Sequence, residues 1–101
     1  MNAEQISDRV FEYIDNHFME CGYATDEADI NMNINSDFWG KEDLPHGEKI
    51  SEKEVRDAIS SLLSEKKIVI FDWDDNHRKC LLDANVQMGR YAEFHERNAP
   101  F

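Results

Sequence analysis

The 101-residue sequence predicts an α+β domain, with elements in the order helix, strand, helix, helix, strand, turn, strand and a last helix at the C-terminus. Three patterns lead there. Apolar residues recur every four positions over residues 3–20, the spacing of one helix face. Residues 28–35 alternate strictly between apolar and polar, the spacing of a half-buried strand. From Ile50 to Asp83 a capped helix is followed by an apolar strand, a polar turn and a second strand.

In the first helix Ile6, Val10, Ile14 and Phe18 make the stripe, with Tyr13, His17 and Cys21 beside it and Gly22 as the stop. On another face Glu4, Asp8, Glu12 and Asp15 follow at spacings of four, four and three, and Arg9 is the only cation of the segment. Like charges at that spacing disfavour a helix slightly, so the row reads either as a solvated face or as a surface in use. Ala28, Ile30, Met32 and Ile34 then alternate with Asp29, Asn31, Asn33 and Asn35, which predicts a strand despite the poor strand propensity of Asp and Asn. Ser36 or Asp37 is placed to cap a short helix through Phe38, Trp39 and Leu44, ended by Pro45 and a turn at residues 46–49.

Ser51 and Glu54 have the spacing of a capping box, in which each side chain bonds a backbone N–H at the helix start. Val55, Ala58, Ile59, Leu62 and Leu63 form the apolar stripe of a helix running to about Lys66, with Lys66 and Lys67 at its negative end. Ile68–Phe71 predicts a strand, residues 72–77 a turn, and Lys79–Leu82 the antiparallel return. Met88, Tyr91, Phe94 and His95 outline the last helix, which stops before Pro100.

Length predicts one domain spanning residues 1–101. No apolar run is long enough to span a membrane, and the N-terminus lacks the basic and apolar regions of a signal peptide, so the expected location is the cytoplasm. Two cysteines, Cys21 and Cys80, are too few for a disulfide framework. The formal net charge is −11, and residues 1–50 carry twelve acidic and three basic side chains against ten and eight in the second half. The acidic half repels phosphate backbones and anionic membranes and attracts basic surfaces.

The element order, together with residues 50–59, Leu62-Leu63 and Lys67-Ile68-Val69-Ile70, resembles the winged helix-turn-helix family over about residues 3–83, leaving 84–101 as a C-terminal helical extension. The resemblance implies a winged-helix-like fold whose Ser51–Lys66 helix enters the DNA major groove while a wing at Asp72–Lys79 touches the backbone. On that view the DNA-facing residues are Lys53, Arg56, Ser60, Ser64, Arg78 and Lys79. Two features depart from the pattern: Lys67 stands where such domains often turn through glycine, and the Pro45–Lys49 turn is long. Asp57 also sits amid that surface, Glu52 and Glu54 crowd its N-terminal end, and Asp72, Asp74 and Asp75 oppose phosphate at the wing.

Other chemistry finds little support. His17 with Cys21 and His77 with Cys80 make a Cys2His2 set on paper, but their spacing matches neither common zinc pattern, and no metal or cofactor is expected. No nucleophile elbow, phosphate loop or H-E-x-x-H motif occurs, so the chain is not expected to be an enzyme. Trp39 and Trp73 fall near expected loops, where tryptophan makes a good interface anchor.

Two functions fit. The first is protein binding: Glu4, Asp8, Glu12, Asp15, Asp26, Glu27 and Asp29 would engage a basic nucleic-acid-binding partner as an inhibitor or partial DNA mimic, for example a phage-encoded antagonist of a bacterial defence or transcription complex. Carboxylates four residues apart on a helix rise about 6 Å per step against about 3.4 Å between phosphates, so the mimicry is coarse. The alternative is a DNA-binding transcriptional regulator, dimeric through residues 85–97.

Overall fold

The computed structural model describes residues 1–21, 24–36, 49–72 and 79–85, with residues 71 and 72 described by their backbone alone. Over these residues the chain is α+β, as the sequence predicts: α1 (Ala3–Cys21), β1 (Thr25–Asp26), α2 (Glu27–Asn33), α3 (Glu52–Ser64), β2 (Ile68–Asp72) and β3 (Lys79–Asp83). The strands form one antiparallel sheet in the order β1-β3-β2.

Helix α1 begins where Asn2 and Gln5 satisfy each other's backbone: the Gln5 N–H donates to Asn2 Oδ1 at 2.8 Å and the Asn2 N–H to Gln5 Oε1 at 3.0 Å. Its predicted stripe is the buried one, with Ile6, Val10, Tyr13, Ile14 and Phe18 turned inward. The helix ends at Cys21, one residue before Gly22, which lies outside the described residues.

The strand expected over residues 28–35 is instead helix α2, and the strand of this region is the two-residue β1 just before it. Asp26 decides the difference. Its own backbone is extended, and its Oδ1 accepts from the Asp29 N–H at 2.8 Å, which caps a helix immediately after the sheet residue. Of the four alternating apolar residues, only Ile30 and Ile34 are buried, four apart, while Ala28 and Met32 face solvent. The acidic Glu27 and Asp29 lie in the first turn, where the helix dipole favours negative charge. A run of Asp and Asn that disfavours a strand is thereby accommodated.

Asn35 joins α2 to α3. Its Nδ2 donates to the Ile50 carbonyl at 3.0 Å and its Oδ1 accepts from the Ile50 N–H at 2.6 Å, so one side-chain amide does what a strand neighbour would do. One residue later the predicted capping box is present in full: the Glu54 N–H donates to Ser51 Oγ, and the Ser51 N–H donates to Glu54 Oε1, both at 3.1 Å. Val55, Ala58, Ile59 and Leu62 are buried, and half-buried Leu63 packs beside them.

The helix stops at Ser64 rather than near Lys66. The Lys67 N–H donates to the Leu62 carbonyl at 2.9 Å and the Lys66 N–H to the Leu63 carbonyl at 3.0 Å, the paired bonds of a Schellman turn. The residue that usually needs glycine in such a turn is Lys66, at φ 60°, and not Lys67. The turn delivers the chain into β2, and the Ala84 N–H closes the far end of the sheet on the Lys67 carbonyl at 2.9 Å.

Strands β2 and β3 each run one residue further than expected and pair over five positions, from Ile68 opposite Asp83 to Asp72 opposite Lys79. Neighbouring β3 residues point to opposite faces. Leu81 joins the main core with Ile14, Ile30, Val55 and Ile68, and Cys80 and Leu82 join a smaller cluster with Phe18 and Ala24. The expected short helix through Phe38 and Leu44, the turn after Asp72 and the C-terminal helix lie outside the described residues.

A left-handed backbone costs a residue with a Cβ roughly 1–2 kcal/mol, part of which returns as the entropy of an unfolded glycine. Lys66→Gly is therefore expected to raise stability by about 0.5–1 kcal/mol in urea melts, while Lys67→Gly, outside the left-handed position, gives no gain.

Candidate interaction surfaces

Eight carboxylates and one cation, Arg9, lie within residues 1–36. Arg9 does not face those acids as an ion-pair partner. Its Nε donates to the Ile34 carbonyl at 2.8 Å and its Nη2 to the Ser36 carbonyl at 3.0 Å, satisfying backbone acceptors just past α2. Glu4, Asp8 and Glu12 are exposed on α1 and make no ion pair among the described residues. Three carboxylates therefore stand along one helix face over about 12 Å with no ion-pair partner among the described residues.

The other acids proposed from the sequence do not extend that row in the same state. Asp15 is half-buried and its carboxyl meets that of Asp83, a buried residue at the end of β3. Burial raises the Asp15 carboxyl above its ordinary range, and the hydrogen bond and negative charge of Asp83 raise it further. Asp26 is occupied as the α2 cap. Glu27 pairs with Arg56 of α3 at 3.5 Å.

Asp29 is a structural hub. Its Oδ2 accepts from the Tyr13 hydroxyl at 2.8 Å and from Thr25 Oγ1 at 2.6 Å, and its Oδ1 accepts from Asn33 Nδ2 at 3.1 Å. His17 Nε2 stands 3.4 Å from Oδ2, so α1, β1 and α2 converge on one carboxylate. Burial first, and then the Asp29 carboxylate, push the Tyr13 phenol well above its usual range, which keeps it protonated as a donor.

The cations of the α3 surface are each matched by a carboxylate. Lys53, Arg56, Ser60 and Ser64 are all exposed. Lys53 Nζ bonds Asp57 Oδ2 at 2.9 Å, and this bond holds the ammonium above its ordinary range. With Arg56 beside Glu27, each cation of the helix has its own carboxylate. Lys79 is exposed at the start of β3, and Arg78 lies outside the described residues.

His17 and Cys21 do not form a metal site with Cys80. His17 is engaged at Asp29, Cys21 is exposed at the end of α1 and Cys80 is buried in the sheet. Among the described residues no three His, Cys, Asp or Glu side chains are grouped to hold a metal ion, and neither cysteine forms a disulfide. His77, Trp39 and Trp73 fall outside them. No helix among them is long and apolar enough to cross a membrane.

Three residues with large structural roles carried little signal as individuals: Asp29 and Asn35 fall inside the strand expected over residues 28–35, and Asp83 marks only the end of the block that starts at Ile50. Arg9 carried more, as the sole Lys or Arg in residues 1–40. Comparison of the chain with protein-family models, with curated proteins and with solved structures found no match.

The raised Asp15 carboxyl fixes the sign of a pH dependence. A folded-state value above the ordinary 3.8 contributes stability that is fully present below that value and is lost as pH rises through the folded one. Asp15→Asn is expected to remove this loss, so that the variant melts above the wild type at neutral pH and the two converge in acid.

Proposed function

We propose that this chain is a small winged-helix-like protein that works by binding a basic, nucleic-acid-binding partner protein through the outward face of α1, and so competes with that partner's nucleic acid. The observation that carries the reading is the placement of Arg9. Because its guanidinium is spent on the Ile34 and Ser36 carbonyls, Arg9 does not pair with Glu4, Asp8 and Glu12, which lie exposed on α1. A patch of one sign steers a partner of the other and is chiefly a device of rate and selectivity.

The winged-helix reading is supported by the order α1-β1-α2-α3-β2-β3 and by the sheet order β1-β3-β2. In such a scaffold α3 would be the helix offered to DNA. Two of its cations are matched by Asp57 and Glu27, which leaves few charges able to displace counterions from a phosphate backbone. The same balance weakens the alternative of a DNA-binding regulator and moves the working surface to α1. Asp26 and Asp29 serve there as framework beneath the surface rather than as contacts.

Affinity capture of a basic partner from the native host, repeated with Glu4→Gln, Asp8→Asn and Glu12→Gln combined, tests the assignment. Exposed charges contribute about 0.2–1 kcal/mol each, so the triple variant is expected to lose roughly tenfold in affinity with its melting curve intact. Equal retention would remove α1 as the contact face. Tight, salt-sensitive binding of the wild type to DNA, lost in Arg56→Ala with Arg78→Ala, would put the regulator in its place.

A further inference from the structure

The outer edge of β2 is unlike the rest of this acidic surface. β3 occupies the middle of the sheet, and among the described residues β2 is bonded on one side only. The strand reads Ile68-Val69-Ile70-Phe71-Asp72. Natural edges are usually guarded by proline, by lysine within the strand, by a bulge or by very short length. This one has β-branched residues at its first three positions and pairs without interruption over five. Ile70, its central residue, is 42 % exposed, among the few large apolar side chains that face solvent.

We propose that this edge is the interface between two copies of the chain, joined antiparallel about a two-fold axis at Ile70 into a continuous six-stranded sheet. An antiparallel self-pair centred on one residue sets that residue beside its own copy on the same face of the sheet. The two Ile70 side chains then cover each other. The ends of the strand differ in charge: Lys66 and Lys67 precede it, Lys67 standing 3.3 Å from Glu65, and Asp72 closes it, so the pairing sets Asp72 of each strand opposite Ile68 of the other, one position from the basic start. No side chain from 68 to 71 is charged, so the centre of the contact costs no charge burial. The net charge of −11 on each copy opposes association at long range, and salt screens that repulsion. The self-pair is thus strengthened by salt, whereas capture of a basic partner by α1 is weakened by it.

Sedimentation equilibrium of the whole chain across a concentration series, at about 0.05 M and about 0.5 M salt, reads both features. The expected result is a species of twice the chain mass whose fraction rises with salt, reduced to the single chain by Ile70→Lys, which sets two like charges face to face at the axis. A single chain at every concentration, as when the chain's own remaining residues cover the edge, overturns the proposal. So does a dimer that survives Ile70→Lys. Should that variant misfold, Ile70→Cys in a Cys21→Ser background decides, because its two sulfurs meet at the axis. A disulfide-linked dimer under copper-catalysed air oxidation is expected, and its absence contradicts the pairing.

Discussion

The described structure turns on the guanidinium of Arg9. Helix α2 is seven residues long, too short to persist on its own. Arg9 donates from α1 to the carbonyl of its C-cap, Ile34, and to that of Ser36 two residues on, and so ties the exit of α2 to the first helix. Hydrogen bonds from a charged donor to half-buried carbonyls are among the stronger ones a small domain has available. The electrostatic consequence is on α1 itself. The one Lys or Arg of the first forty residues is committed to the framework, and Glu4, Asp8 and Glu12 have no ion-pair partner among the described residues.

A second polar joint makes this arrangement coherent. Asp29 collects the Tyr13 hydroxyl, the Thr25 hydroxyl and the Asn33 amide, and Asn35 clasps the backbone of Ile50 at the entry to α3. These bonds order the segment between α1 and α3 where little apolar area is on offer: α2 buries Ile30, and Ile34 follows at its cap. Once ordered, α3 lays Val55, Ala58, Ile59 and Leu62 on the stripe of α1, and the Schellman turn at Lys66 returns the chain as β2. Negative charge in this protein thus has two roles that position alone separates. Asp26 and Asp29 hold the fold, while Glu4, Asp8 and Glu12 give it a field.

What the sequence disclosed follows from how local each cause is. Helix α1, helix α3 with its capping box, and the β2–β3 pair were legible because their apolar spacing and caps lie within each segment. Residues 28–35 read as a strand because the periods of two and four coincide in Ile30 and Ile34, and only the cap at Asp26 distinguishes them. Half of the acidic surface was legible in the same sense. The spacing of Glu4, Asp8 and Glu12 gives one face of a helix, whereas the engagement of Asp15 with Asp83, of Glu27 with Arg56 and of Asp29 with Tyr13 spans sixteen to sixty-eight positions of sequence and leaves no periodic trace. Arg9 belongs to the same class, bonded 25 and 27 residues away.

Arg9 is a framework residue and not a counter-charge to the acids of α1. Chemical unfolding of Arg9→Met, which keeps most of the apolar stem and removes the donors, measures that role directly at low and at high salt. Loss of the bonds to Ile34 and Ser36 is expected to cost about 2 kcal/mol, and most of that cost persists in about 1 M salt because the acceptors are left unsatisfied. A variant as stable as the wild type, or a cost that disappears with salt as a surface ion pair's would, contradicts the account.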